Sequence, residues 1–295
     1  EAYDMYEKAP ENVEVTFPCS GGVIADPDKV RAIFEGLYKK LNNGKLVKGS
    51  SLLIAVPTGT TEVERRAFYE MAAESAVRPK VIKIIEKPIA DSIDCGIDHR
   101  TQDKCMIVSM GADTTNISVI SRGSVMLDKN LKFGGSRLNE LIISSLKQKE
   151  GRVIGTKSAE LLKRKLTDLT EVPAQKSTSV YGRIMATGLP SRTTVYTSLV
   201  NEAISGHISV IAEEIKRVLE RTPPEVSDQI RKSGFYLVGG GANLTGLESF
   251  LEANTGLMVH SVNDPQNSTI RGVTRAFSHP RYESLIFVPK EKEYN

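Results

Sequence analysis

CMIVSMGADTTNISVISRGSVMLDKNL, residues 105–131, holds two β-rich runs, CMIVSM (105–110) and NISVIS (116–121), separated only by GADTT, and an Arg122-Gly123 turn that feeds a third run, SVMLDKNL. Short apolar runs bounded by Gly, Asp and Thr read as strands, and spacing this tight leaves room only for hairpin turns. The stretch is therefore an antiparallel meander. Upstream the pattern differs. Asp26, Pro27 and the set Val30, Ile33, Phe34, Leu37 and Leu41 give an N-cap, a proline at the first helical position and i, i+3, i+4, i+7 spacing. Residues 27–41 thus form an amphipathic helix, ended by Asn42, Asn43 and Gly44. SLLIAVP (51–57) is a buried strand, Thr61-x-x-Glu64 a capping box opening a helix to about Ala76, and VIKII (81–85) a second buried strand before a helical stretch at 88–97. Strand alternating with helix implies a mostly parallel sheet, so an α/β chain with mixed sheets is expected.

Downstream, helices are expected at 136–148 and 157–168, followed by a Pro, Ser and Thr-rich patch, 172–196, that reads as a peripheral excursion. Helix 208–221 stops at Thr222-Pro223-Pro224, and strand FYLV (235–238) runs directly into Gly239, Gly240 and Gly241. A helix from about Gly246 to Ala253 and a mixed tail follow. The opening, EAYDMYEKAPENVEV, reads as a helical fragment entering a strand, as though an upstream piece were absent.

Composition narrows the function. At roughly 150 residues per domain, 295 residues make about two domains. Apolar residues at 40% and charged ones at 25% are ordinary globular usage, which excludes collagen-like and disordered chains. Lys and Arg number 39 against 36 Asp and Glu, and the absence of any long run of like charge gives no support for a nucleic-acid partner. No apolar stretch reaches the ~20 residues of a membrane-spanning helix. Cys19, Cys95 and Cys105 are odd in number and lack C-x-x-C spacing, so neither a disulfide framework nor a zinc site is indicated, and a cytoplasmic setting fits. His99, His207, His260 and His279 are scattered and suggest no metal site. No G-x-S-x-G elbow supports a hydrolase triad.

Two glycine-containing elements remain. In GADTT, exposed N–H groups can form an anion-binding nest and the threonines add hydroxyl donors. GGGANL follows a strand and opens a helix, permitting close backbone approach and favouring an anion at the helix N-terminus. Alone, each is an ordinary hairpin or strand-to-helix turn. Together they suggest a nucleotide held between two related lobes.

The order of motifs resembles the bacterial actin homologue MreB family, within the actin, heat-shock chaperone and sugar kinase superfamily, from residue 1 to about 277. The resembling segments are GGVIAD (21–26), VPTGTTEVERRA (56–67), EKPIADSI (86–93), MGADTT (110–115), FGGSRLNELI (133–142), TKSAELLKRKL (156–166), GRIMATGLP (182–190), LERTPPE (219–225), VGGGANLTGL (238–247) and NDPQNSTIRG (263–272). The resemblance implies an actin-like two-lobed ATPase fold with the nucleotide cleft between lobes. Lobe I would span 1–98, a remnant of its small subdomain reaching to about 20. Lobe II would span 99–275 with a small subdomain inserted at about 143–207, and 276–295 would return to lobe I. Family members carry a further strand meander upstream, including a first phosphate-binding turn, which this sequence lacks.

The same resemblance implies ATP or ADP with Mg2+ as cofactor. Gly111, Ala112, Asp113 and Thr114 stand at the second phosphate turn, where the family has three glycines then threonine. Glu160 and Lys163 match the adenosine-contacting E-x-x-K element, and Gly239, Gly240, Gly241, Ala242 and Asn243 the nucleotide-base turn. Two catalytic positions depart. The family's E-E-P, whose second carboxylate orients the attacking water, is Glu86-Lys87-Pro88 here, and the magnesium-shell Asp is Ser109. Weak or absent hydrolysis is expected unless Asp113 or Glu86 takes over. In NNGKLVKGS (42–50), Leu46 and Val47 lie between Lys45 and Lys48 where family members insert apolar residues into the membrane; the alternative is a solvent loop with Leu46 folded back on the core. The reading is a cytoskeletal protein that binds ATP and polymerises into filaments involved in cell shape or motility. Its partners would be itself, other MreB paralogues and a membrane surface. The alternatives are an ATP-dependent enzyme of the superfamily, a sugar kinase or chaperone ATPase, and a non-polymerising regulatory paralogue.

Overall fold

The computed structural model describes residues 12–100 and 104–288, so the expected helical opening lies largely outside the described residues. The chain divides into two compact units: residues up to 93 with those from 269 onward, and residues 94–268.

In the first unit, β1 (Cys19–Ser20) and β2 (Val23–Ile24) pair antiparallel ahead of α1 (Pro27–Leu41). Asp26 caps α1 by accepting from Lys29 N at 3.1 Å, with Pro27 at the start of the helix. β3 (Ser51–Val56) lies parallel to β4 (Val81–Glu86) from Ser51↔Val81 to Val56↔Glu86. Between them runs α2 (Glu62–Ala73), whose reciprocal cap is complete: Glu64 N donates to Thr61 Oγ1 at 3.2 Å and Thr61 N to Glu64 Oε2 at 2.7 Å. α3 (Lys87–Asp94) follows β4 directly and so is shorter than the expected 88–97.

The second unit is built on a five-stranded sheet in the order β12-β11-β5-β6-β7. β5 (Lys104–Met110), β6 (Thr115–Ser121) and β7 (Ser124–Leu131) are the antiparallel meander, paired from Lys104↔Ser121 to Met110↔Thr115 across the first hairpin. α4 (Gly135–Glu150), β8 (Arg152–Val153) and α5 (Thr156–Leu166) come next. The Pro, Ser and Thr-rich patch, expected as a peripheral excursion, has regular structure. It forms a hairpin, β9 (Ser177–Ile184) with β10 (Pro190–Tyr196), and β8 joins β9 to complete a three-stranded sheet. Only Val180, Thr193 and Val195 turn inward there, too few to stand out against the hydroxyl residues.

α6 (Thr197–Arg221) starts well before the expected 208, because Val200, Ile204, Ile208, Ile211 and Ile215 form one buried stripe that runs through Gly206. An unanticipated helix, α7 (Pro224–Ser233), begins on the second proline and buries Val226 and Ile230. β11 (Phe235–Val238), α8 (Leu247–Thr255) and β12 (Val259–Ser261) follow, and β11 runs parallel to both β5 and β12. The core of this unit lies between the meander residues Met106, Val108, Ile117 and Val119 and the inner faces of α4 and α6.

The tail is regular as well. α9 (Ser268–Ser278) lies so close to α3 that a Cβ on Gly272 would sit 1.8 Å from Ala90 O, and Thr269 Oγ1 donates to the buried Asp91 Oδ1 at 2.6 Å. Phe287 then exchanges two backbone hydrogen bonds with Ile84 of β4, at 2.8 and 2.9 Å.

Candidate functional site

Parallel pairing brings the two glycine elements together. Val238 lies opposite Ser109, so β11 and β5 end side by side and the turns 111–114 and 239–243 leave the same end of the sheet. Outside the carboxyl ends of parallel strands is where α/β sheets take ligands. The second turn packs on the end of β5, where the first turn begins: a Cβ on Gly239, at φ +88, would lie 2.4 Å from Met110 O, and one on Gly241 2.4 Å from Met110 Cγ. The second element opens a 3-10 turn, Gly240–Asn243, before α8 rather than the α-helix itself, because Gly246 at φ +77 interrupts the run. Gly240 stands apart. It is exposed, has an ordinary φ, and a Cβ there would find nothing nearer than Gln266 Cγ at 3.9 Å. Packing does not require that glycine, so the space in front of it is free.

The hairpin turn is pinned from its far side. Gly111 N donates to Thr114 O at 2.9 Å, closing the loop, while the first N–H groups of α4 donate into it, Gly135 N to Gly111 O at 3.0 Å and Ser136 N to Ala112 O at 2.7 Å. Two carbonyls of the turn are thereby consumed. The N–H groups of Ala112, Asp113 and Thr114 take part in none of the backbone hydrogen bonds of the described residues, leaving consecutive donors at an exposed corner. This contact demands Gly134: a Cβ there would lie 2.5 Å from Ala112 O and 2.7 Å from Gly111 O.

Glu160 and Lys163 complete the surface. One turn apart on α5, they form an ion pair at 2.6 Å. Lys163 Nζ is buried and also donates to Gly135 O at 2.9 Å, which ties α5 to the start of α4. Asn139 Nδ2 donates to the same Glu160 oxygen at 2.9 Å, and Asn139 Oδ1 is buried without a hydrogen-bond partner. Burial alone would raise the Glu160 carboxyl, but hydrogen bonds from Lys163 and Asn139 and the charges of Lys163 and Arg164 hold it below the ordinary carboxylate value. A depressed folded-state pKa stabilises the fold above the unfolded value of 4.5, and that contribution disappears as pH falls through the lowered value. We therefore expect the melting temperature of the wild type to fall more steeply below pH 4.5 than that of Glu160→Gln; parallel slopes in calorimetry contradict the clasp.

Eleven of the expected positions, Gly111 to Thr114, Glu160, Lys163 and Gly239 to Asn243, thus share one surface in the unit of residues 94–268. Ser109 is buried at the end of β5 in that unit. Lys87, half-buried at the start of α3, belongs to the other unit, as do Leu46 and Val47. Leu46 is half-buried and Val47 exposed, with Tyr38 Oη donating to Val47 O at 3.0 Å. Sequence reasoning assigned no site role to Gly134, Gly135, Ser136 or Asn139. The available signal was the Phe133-Gly134-Gly135-Ser136 run between a strand and a helix. Among the described residues no group of three or more His, Cys, Asp or Glu side chains could hold a metal ion.

The chain has relatives among known proteins. Residues 1–284 match the family described as MreB/Mbl protein. The chain is 33% identical over 272 residues to the cell shape-determining protein Mbl of Bacillus subtilis (strain 168), covering 92% of this chain and 81% of that protein. It is 31% identical over 277 residues to the cell shape-determining protein MreB of Escherichia coli (strain K12), covering 94% and 79%. Among solved structures, the crystal structure of MreB5 of Spiroplasma citri bound to AMPPNP superposes with a TM-score of 0.88 at 25% identity, over 94% of this chain and 82% of that one. The MamK double helical filament gives 0.76 at 20% identity, over 94% and 84%, a likeness of fold.

Proposed function

This chain belongs to the MreB/Mbl family and has the actin-like fold, and on that premise we propose that it is a cytoskeletal protein that binds an adenine nucleotide and assembles into filaments serving cell shape or motility. The observation that carries the reading is the convergence of turn 111–114, turn 239–243, the start of α4 and the Glu160–Lys163 pair on one sheet end. The nucleotide fits the residues present. The open N–H groups of Ala112, Asp113 and Thr114 suit phosphate oxygens, and the positive end of the α4 dipole lies beside them. The glycines at 239–241 let the ligand meet backbone, with the vacant side of Gly240 open to it. Solved relatives from Spiroplasma citri bound to AMPPNP and to ADP support the same class of ligand.

Magnesium is held mainly by the phosphates and water in this reading, since it commonly binds through one or two carboxylates plus substrate phosphates. Hydrolysis is weak. The family's water-orienting carboxylate is Lys87 here, and an ammonium has no lone pair with which to accept a proton.

Head-to-tail contact between unlike surfaces of one chain produces open filaments rather than closed rings. Sedimentation of the full-length protein with ATP and with ADP tests this: a pelleting fraction is expected, and monomer under every nucleotide and salt condition points instead to a non-polymerising paralogue.

A membrane surface is the second partner proposed. Val47 is 49% exposed, and Leu37 and Leu41 of α1 are 58% and 83% exposed, next in sequence to Lys39, Lys40, Lys45 and Lys48, which are all exposed. Apolar residues with a basic rim suit an anionic bilayer, at about 1 kcal/mol per basic residue, and a filament multiplies weak contacts by avidity. Among the described residues no helix is long and apolar enough to cross a membrane, so the contact would be peripheral. Leu46→Ser with Val47→Ser is expected to reduce co-sedimentation of filaments with anionic liposomes; unchanged co-sedimentation removes the loop as anchor.

A further inference from the structure

We infer that Asp113 deepens the dependence of nucleotide binding on the divalent cation carried by the phosphates, its carboxylate meeting that cation; this rests on the nucleotide reading above. Three consecutive N–H donors and a helix start invite an anion to turn 111–114, yet a carboxylate stands in the middle of the turn. Asp113 does not cap α4, whose N-cap is Gly134 without a side-chain bond, and its hydrogen bond is the one that Oδ1 accepts from Ser136 Oγ at 3.0 Å. That bond orients the carboxylate beside the donors and leaves Oδ2 unengaged among the described residues.

Among the described residues no Lys or Arg forms an ion pair with Asp113. The nearest cation of the site by connection, Lys163, is committed to Glu160 and Gly135 O, so that pair adds no net charge. Ser109, buried under the turn, is neutral. A phosphate entering alone meets a like charge at close range, which weakens its binding at the low effective dielectric of a protein surface. A hard divalent cation reverses the sign of that interaction, because it takes oxygen ligands from carboxylate and phosphate together. With no group of three acidic, His or Cys side chains to retain it among the described residues, the cation would arrive with the nucleotide.

Calorimetric titration of the full-length protein with ADP, in magnesium and in a chelator, separates these roles when wild type is compared with Asp113→Asn and Asp113→Gly. Asp113→Asn keeps an oxygen for the Ser136 hydroxyl and removes only charge. The wild type should lose at least about 100-fold in affinity without the cation, and Asp113→Asn should bind cation-free ADP at least roughly tenfold tighter than wild type does. Adenosine, which lacks phosphate, should bind both alike. If Asp113→Asn moves the affinities with and without magnesium by the same factor, or leaves cation-free binding unchanged, the inference is overturned while the nucleotide site stands. Failure of the wild type to bind ADP even with magnesium overturns the nucleotide reading and this inference with it.

Discussion

Phosphate release by the double variant Lys87→Glu, Ser109→Asp is expected to exceed that of the wild type by on the order of 10² or more, the typical contribution of a positioned general base. Charge makes the difference. In the family a carboxylate at this position aligns and deprotonates a water, whereas an ammonium has no lone pair to accept a proton and can only stabilise negative charge, in a ground state as much as in a transition state. Stabilising both equally does not raise turnover. Nor does Lys87 serve its own helix, since a cation in the first turn of α3 opposes the helix dipole. Position 109 is harder to change: Ser109 is only 4% exposed, and a carboxylate there must be satisfied or it destabilises the end of β5. The single variants and the melting temperature of each therefore belong in the experiment. Fast release by the wild type contradicts the proposal and directs attention to Glu86 or Asp113 as the group that activates water.

Gly134→Val is expected to abolish nucleotide binding, and Gly240→Ala to weaken it without harming the fold. At Gly134 the added Cβ meets two backbone carbonyls, at 2.5 and 2.7 Å, which cannot move unless the turn leaves α4. The hydrogen bonds from Gly135 N and Ser136 N are then lost, at about 1–3 kcal/mol together. Losing two hydrogen bonds to charged phosphate costs a further 3–6 kcal/mol of binding, roughly 100-fold or more in affinity. Gly240 supplies the contrast. With Gln266 Cγ, at 3.9 Å, the nearest atom to its missing Cβ among the described residues outside its chain neighbours, Gly240→Ala should change stability by no more than about 0.5 kcal/mol, yet the methyl occupies space assigned to the ligand. Equal binding by Gly240→Ala and wild type places the ligand elsewhere.

Much of the second unit was legible because its signals are local. The hairpin of β5 and β6 follows from two dense β-branched runs around a short turn, and the caps of α1 and α2 from Asp26-Pro27 and Thr61-x-x-Glu64. The hairpin of β9 and β10 was hidden because its inward positions are mostly Thr and Val spaced among Ser, Arg and Thr. Helix α6 was truncated because Ser205, Gly206 and Ser209 interrupt a stripe that tertiary packing nonetheless buries. The site was legible in its glycine turns, whose spacing announces close backbone approach. Its supporting half was not: the need for Gly134 arises from a carbonyl of a turn more than twenty positions earlier, and the clasp of Asn139, Glu160 and Lys163 is formed only when α4 and α5 pack together.

The proposed adenine nucleotide rests on the joined surface of turn 111–114, the start of α4, the Glu160–Lys163 pair and turn 239–243. Hydrogen–deuterium exchange of the full-length protein with and without magnesium ADP tests this, because the N–H groups of Ala112, Asp113 and Thr114 have no backbone partners among the described residues. Peptides covering residues 110–116, 133–140, 158–164 and 238–244 are expected to gain protection together when the nucleotide is added. Protection confined to other segments, with these four unchanged at a saturating concentration of nucleotide, would contradict it.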